Sequence, residues 1–90
     1  MMHIRIYTTT YCPYCVRAKL LLDKKGLTYQ EIDVTNDPKL RQELVQMSGG
    51  RMTVPQIFFD ERSIGGCVDL YELERTGELD TAVKNLLPDS

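Results

Sequence analysis

The segment between Pro13 and Lys25 constrains the fold most. It holds no helix breaker after its first residue, places Cys15, Ala18 and Leu22 on one helical face with Leu21 beside it, and is followed by Gly26, a residue suited to a left-handed terminator. It reads as a helix. Before it, residues 3 to 8 alternate with Ile4 and Ile6 on one face, and after it Thr28 to Val34 reads as a second strand. A strand, a helix and a strand in direct succession require a crossover, and hence a parallel pair.

The remainder extends this frame. Asn36-Asp37-Pro38 is a capped helix start, and Leu40, Leu44 and Met47 form the inner stripe of a helix that ends near Gly49-Gly50. Gln56 to Phe59 is a short apolar strand, Asp60-Glu61-Arg62 a turn and Ser63-Ile64 the return strand of an antiparallel hairpin. Val68 to Arg75 reads as a helix stopped by Gly77, and Leu79, Ala82, Val83 and Leu86 line the inner face of a last one before Pro88. The order β-α-β-α-β-β-α-α predicts an α/β fold over residues 1–90: one domain, with a four-stranded mixed sheet flanked by helices on both faces.

With 42% hydrophobic and 27% charged residues and a net charge of −2, the chain lacks the basic footprint of a nucleic-acid binder. Its start, Met1 to Tyr7, alternates apolar and polar residues rather than forming the apolar run of a signal peptide, and no stretch is long enough to span a bilayer. A cytoplasmic protein that contacts neither nucleic acid nor membrane is expected.

The three cysteines are an odd count and argue against a disulfide framework, while the spacing of Cys12 and Cys15 suits redox work or a metal site. A zinc site needs further ligands, and only Cys67 and His3 remain as soft candidates, neither in a second Cys-x-x-Cys. No metal is expected, and redox chemistry is the favoured reading. With Cys12 at the N-cap, Pro13 is the first helical residue, where its missing N–H is no loss. The free N–H groups of Tyr14 and Cys15 and the positive end of the helix dipole then favour a thiolate at Cys12, the nucleophile. Cys15, facing the core, suits a resolving thiol that attacks a mixed disulfide already formed at Cys12.

At Cys12-Pro13-Tyr14-Cys15 the chain resembles the dithiol glutaredoxins, the short bacterial ones above all. Thr53-Val54-Pro55 and Gly65-Gly66-Cys67-Val68-Asp69 are similar to that family's glutathione-binding stretches in order and spacing, and the likeness runs from about Ile4 to Leu87. The resemblance implies the thioredoxin fold and a glutathione-dependent thiol–disulfide oxidoreductase, with glutathione as cosubstrate. It further implies a cis peptide before Pro55, with the backbone of Val54 pairing to glutathione as an added strand would. The N–H groups of Cys67 and Val68, following Gly66, would take the γ-glutamyl carboxylate, and Asp69 would pair with the ammonium group. Arg41 on the second helix matches a position for the cation that meets the glycine carboxylate, and Tyr14 would shield the sulfur. The plainer alternatives are an ordinary strand-start proline at Pro55, a capping role for Asp69 and a packed small residue at Cys67.

Two positions depart from the family pattern. Thr9 stands where a lysine is frequent, removing a cation near Cys12, and Val68 stands where a small polar residue is frequent. Glutathionylated and disulfide-containing proteins, with ribonucleotide reductase a family-level candidate, are the implied partners of a monomer. Rival readings are a cluster-binding dimer, against which Pro13 and Cys15 speak, and a thioredoxin-like enzyme served by a flavin reductase, against which the Gly-Gly-Cys-Val-Asp segment speaks.

Overall fold

A computed structural model describes residues 3–86, with side chains up to residue 82. Eight elements follow in the expected order: β1 (Ile4–Thr8), α1 (Pro13–Lys24), β2 (Gln30–Asp33), α2 (Pro38–Met47), β3 (Gln56–Phe59), β4 (Arg62–Gly65), α3 (Cys67–Thr76) and α4 (Glu78–Leu86). The strands form one sheet in the order β2-β1-β3-β4, with β1 parallel to β2 and antiparallel to β3, and β3 antiparallel to β4.

The alternation of the two central strands sorts their side chains onto two faces. Ile4, Ile6, Ile57 and Phe59 join Ala18, Leu21 and Leu22 of α1, Cys67 and Leu70 of α3 and Leu79 of α4 in the larger core. On the other face, Tyr7 and Phe58 pack with Val34 and with Leu44 of α2. Their rings meet edge to face at 5.6 Å, and the Arg5 guanidinium lies over both. Cover on both faces explains why every residue of β3, including Gln56, is buried.

The structure corrects several boundaries. β2 spans only Gln30–Asp33, rather than Thr28 to Val34, because its ladder is set by the short partner segment Arg5–Thr8; Val34 adds one further bond, its N–H donating to the Thr8 carbonyl at 2.8 Å. Met47, expected in the inner stripe of α2, is 42% exposed. The chain turns away at Ser48, whose buried hydroxyl lies 3.2 Å from the Val45 carbonyl and 3.1 Å from that of Arg51, so the helix end is tied to its own loop. Leu44 is fully buried and Leu40 partly so. The strand β4 begins one residue earlier than expected, at Arg62, and α3 extends one residue further at each end. Lys25 is the C-cap of α1, followed by Gly26 at φ 70°. The expectations for Val83, Leu86 and Pro88 lie outside the described side chains.

Candidate functional site

Cys12 is the N-cap of α1, with extended backbone (φ −133°, ψ 98°), and Pro13 occupies the first turn as its fixed φ allows. The Cys12 sulfur accepts a hydrogen bond from the Cys15 N–H at 3.1 Å, one of the two donors expected there; no bond from the Tyr14 N–H accompanies it among the described residues. Cys12 and Cys15 form a disulfide, their Cα atoms 5.1 Å apart. Cys12 is 9% exposed and Cys15 only 2%, so the outer sulfur meets an incoming reagent first and the inner one sits against the core. The flanking Tyr11 and Tyr14 are both exposed.

Directly across from the pair, the Val54 carbonyl oxygen lies 3.8 Å from the Cys12 sulfur. The Val54–Pro55 peptide is cis. The loop that carries Val54 is braced from below by Gln56, a wholly buried side chain whose Nε2 donates to the Thr53 carbonyl at 2.8 Å and whose Oε1 has no partner among the described residues. That brace was not foreseen from sequence.

The third component is the start of α3. Gly66 is its N-cap, and the carboxylate of Asp69, three residues on, accepts the Gly66 N–H at 2.8 Å. The same oxygen accepts from Arg51 Nη1 at 2.9 Å. The Gly66 N–H, and then the Arg51 guanidinium, hold the Asp69 carboxyl below the usual carboxylate range. Gly65, at φ 110°, admits this arrangement: a Cβ there would come within 2.7 Å of both Arg51 Nη1 and Asp69 Cγ.

These parts enclose a groove of about 260 Å³ lined by Tyr14, Arg51, Thr53, Val54, Pro55, Gly66, Cys67, Val68 and Asp69. A second hollow, of about 520 Å³, shares Tyr14, Cys67 and Val68 with it and continues along α3 past Arg17 and Tyr71. The ligand-binding residues expected from sequence line this groove except Arg41, and the Cys12–Cys15 pair adjoins it at the Val54 carbonyl. Arg41 is exposed on α2 and lines neither hollow. Arg51 was missed: it stands between Gly50 and Met52, outside the Thr53-Val54-Pro55 stretch, and only its contact with Asp69 reveals it.

Cys67 is a free thiol, 7% exposed, and burial pushes its titration up despite the nearby Arg17 charge, so its thiolate is disfavoured. His3, at the start of β1, and Cys67, at the start of α3, do not join Cys12 and Cys15 in a metal-holding cluster; among the described residues no three His, Cys, Asp or Glu side chains do so.

Comparison with known proteins agrees with the geometry. The glutaredoxin family model matches residues 4–64. A glutaredoxin of Pseudomonas aeruginosa is 55% identical over 75 residues, covering 83% of this chain and 88% of the relative, and glutaredoxin 3 of Escherichia coli is 49% identical over 84 residues, covering 93% and 100%. Among solved structures, a buckwheat glutaredoxin–glutathione complex superposes with a TM-score of 0.86 at 32% identity, covering 93% of this chain and 78% of that one. A glutaredoxin from Brucella melitensis does so at 0.80 and 51%, covering 90% and 87%. With the mixed sheet of the thioredoxin fold and a closed Cys12–Cys15 pair at a helix start, the chain belongs to the glutaredoxin family and is a thiol–disulfide oxidoreductase.

Proposed function

We propose that the protein reduces protein–glutathione mixed disulfides and protein disulfides at the expense of glutathione. The observation that carries this reading is the placement of the Val54 carbonyl, on the wall of the groove, 3.8 Å from the Cys12 sulfur: a ligand paired to Val54 as an added strand has its own sulfur beside the nucleophile. The buckwheat relative, whose structure is that of a glutathione complex, supports the identity of that ligand.

In the proposed cycle the Cys12 thiolate attacks the glutathione sulfur of a mixed disulfide, and the substrate leaves as a thiolate that takes up a proton. The thiolate of a second glutathione then attacks the glutathione sulfur bound to Cys12, forming oxidised glutathione and restoring the Cys12 thiolate. For a protein disulfide, Cys12 forms the mixed disulfide with the substrate. Cys15 then attacks the Cys12 sulfur, expels the second substrate thiol and leaves the Cys12–Cys15 bond for two glutathiones to reduce.

In the proposed complex the N–H groups of Cys67 and Val68 after Gly66 take the γ-glutamyl carboxylate, Asp69 the ammonium group, and Thr53, Pro55 and Tyr14 the walls beside the peptide. Arg41, which forms no part of the wall, is assigned the glycine carboxylate on the family resemblance alone. The protein is proposed to work as a cytoplasmic monomer, with ribonucleotide reductase among its protein substrates. None of the described helices is long and apolar enough to cross a membrane.

Turnover of a glutathionylated peptide, coupled to glutathione reductase, tests the reading. Wild type turns over, Cys12→Ser is inactive, and Cys15→Ser keeps this activity while losing reduction of protein disulfides. A wild-type protein without glutathione-dependent turnover overturns it, and activity with a thioredoxin reductase alone puts a thioredoxin-like enzyme in its place.

A further inference from the structure

We propose that Arg51 is a positioning residue for the γ-glutamyl end of glutathione, holding one oxygen of the Asp69 carboxylate so that the other is left for the ligand's ammonium group. The inference rests on the glutathione reading above. Asp69 Oδ2 is taken twice, by the Gly66 N–H at 2.8 Å and by Arg51 Nη1 at 2.9 Å, whereas Oδ1 takes no hydrogen bond from another residue among those described. Both side chains are about half exposed, at 48% for Arg51 and 41% for Asp69, and both line the groove beside Cys67 and Val68.

A free α-amino acid end presents an ammonium and a carboxylate on adjacent atoms, so its receptor needs an acceptor and a set of donors side by side. The donors are the first N–H groups of α3, and the acceptor is Asp69 on the same turn. An aspartate in the first turn that is free to rotate satisfies those N–H groups itself and occupies the place of the ligand's carboxylate. Arg51 and Gly66, by fixing Oδ2, hold the carboxylate off the Cys67 and Val68 N–H groups. The Arg51 carbonyl is tied to the buried Ser48 hydroxyl at 3.1 Å, and the bare Cα of Gly65 leaves room for the guanidinium to reach the carboxylate. A guanidinium fixes the direction of its bond as a lysine ammonium does not.

Steady-state kinetics with two substrates test the assignment: a glutathionylated peptide, and the same peptide carrying a glutathione in which hydrogen replaces the α-amino group. For an exposed ion pair, R51Q raises KM for the first substrate about three- to fivefold, with the change in KM rather than kcat, and R51K recovers part of the loss. With the deaminated substrate, R51Q and wild type share one KM, because there is no ammonium for Asp69 to meet. An equal rise with both substrates overturns the proposal in favour of a general structural or electrostatic role. So does the absence of any rise, or a fall in KM that would make Arg51 a competitor of the ammonium. R51M is read in the same way if R51Q does not fold. Failure of the wider reading looks different: wild type then turns over neither substrate.

Discussion

The N–H of Cys15 donates to the sulfur of Cys12 at 3.1 Å, so the helix that buries the second cysteine already aims a donor at the first, where a thiolate forms once the disulfide is reduced. Both thiols sit at helix starts, but Cys12 is the N-cap and takes the Cys15 N–H, whereas Cys67 lies one position inside α3, where burial pushes its titration up. After reduction, iodoacetamide at neutral pH modifies Cys12 at least about tenfold faster than Cys67, as read by peptide mass spectrometry. Preferential labelling of Cys67 would contradict this account of the pair.

The Gln56 side chain is wholly inside the protein and donates to the Thr53 carbonyl. Gln56→Glu places a carboxylate where an amide donor was, facing a carbonyl oxygen. At pH 7 the variant loses on the order of 3 kcal/mol of stability in urea unfolding. Burial raises the pKa of the new acid, so its protonated form is the one the fold tolerates; the loss shrinks as pH falls through that raised pKa and is smallest below about 4, the ordinary glutamate value. A loss independent of pH would mean that the carboxylate had escaped to water.

Gly65→Ala sets a methyl group against Arg51 and Asp69 at a backbone angle that L residues avoid. It costs about 1–3 kcal/mol and disrupts the ion pair. Gly26→Ala has a similarly positive φ but open space around it, and costs about 1 kcal/mol. Equal losses in urea melts would show that the crowding at Gly65 is relieved without penalty.

Asp69 titrates below the ordinary carboxylate range because of Gly66 and Arg51. A lowered folded pKa contributes stability that is present above the unfolded value of about 4 and is lost as pH falls through the folded one. The side chain is 41% exposed, so the contribution is at most about 1 kcal/mol. The gap in urea midpoint between wild type and Asp69→Asn is therefore present at pH 7 and closes below pH ~4. A constant gap across that range would remove the ion pair from the account.

The parts of the fold that were legible in the sequence obey local rules. Pro13 after Cys12 and the 3.6-residue spacing of Ala18 and Leu22 define α1, and the alternation of Ile4 and Ile6 defines β1. What was not legible depends on partners distant in the chain. The short ladder of β2 is set by the length of β1, and the exposure of Met47 by a turn anchored at Ser48. Arg51 meets an aspartate 18 positions away, and no periodicity signals such a pair. Gln56 reads as a polar residue in an apolar strand until both faces of the sheet are seen to be covered.

Tyr7 and Gln56 face each other in the antiparallel pairing of β1 with β3. The end of one strand is therefore the beginning of the other, and the nucleophile's loop and the Val54 loop leave the sheet from the same edge. The spacing of attack and recognition is thereby inherited from a ladder of main-chain bonds. Side chains outside that ladder, such as the exposed Val68, can therefore change without moving the Cys12 sulfur relative to the Val54 carbonyl.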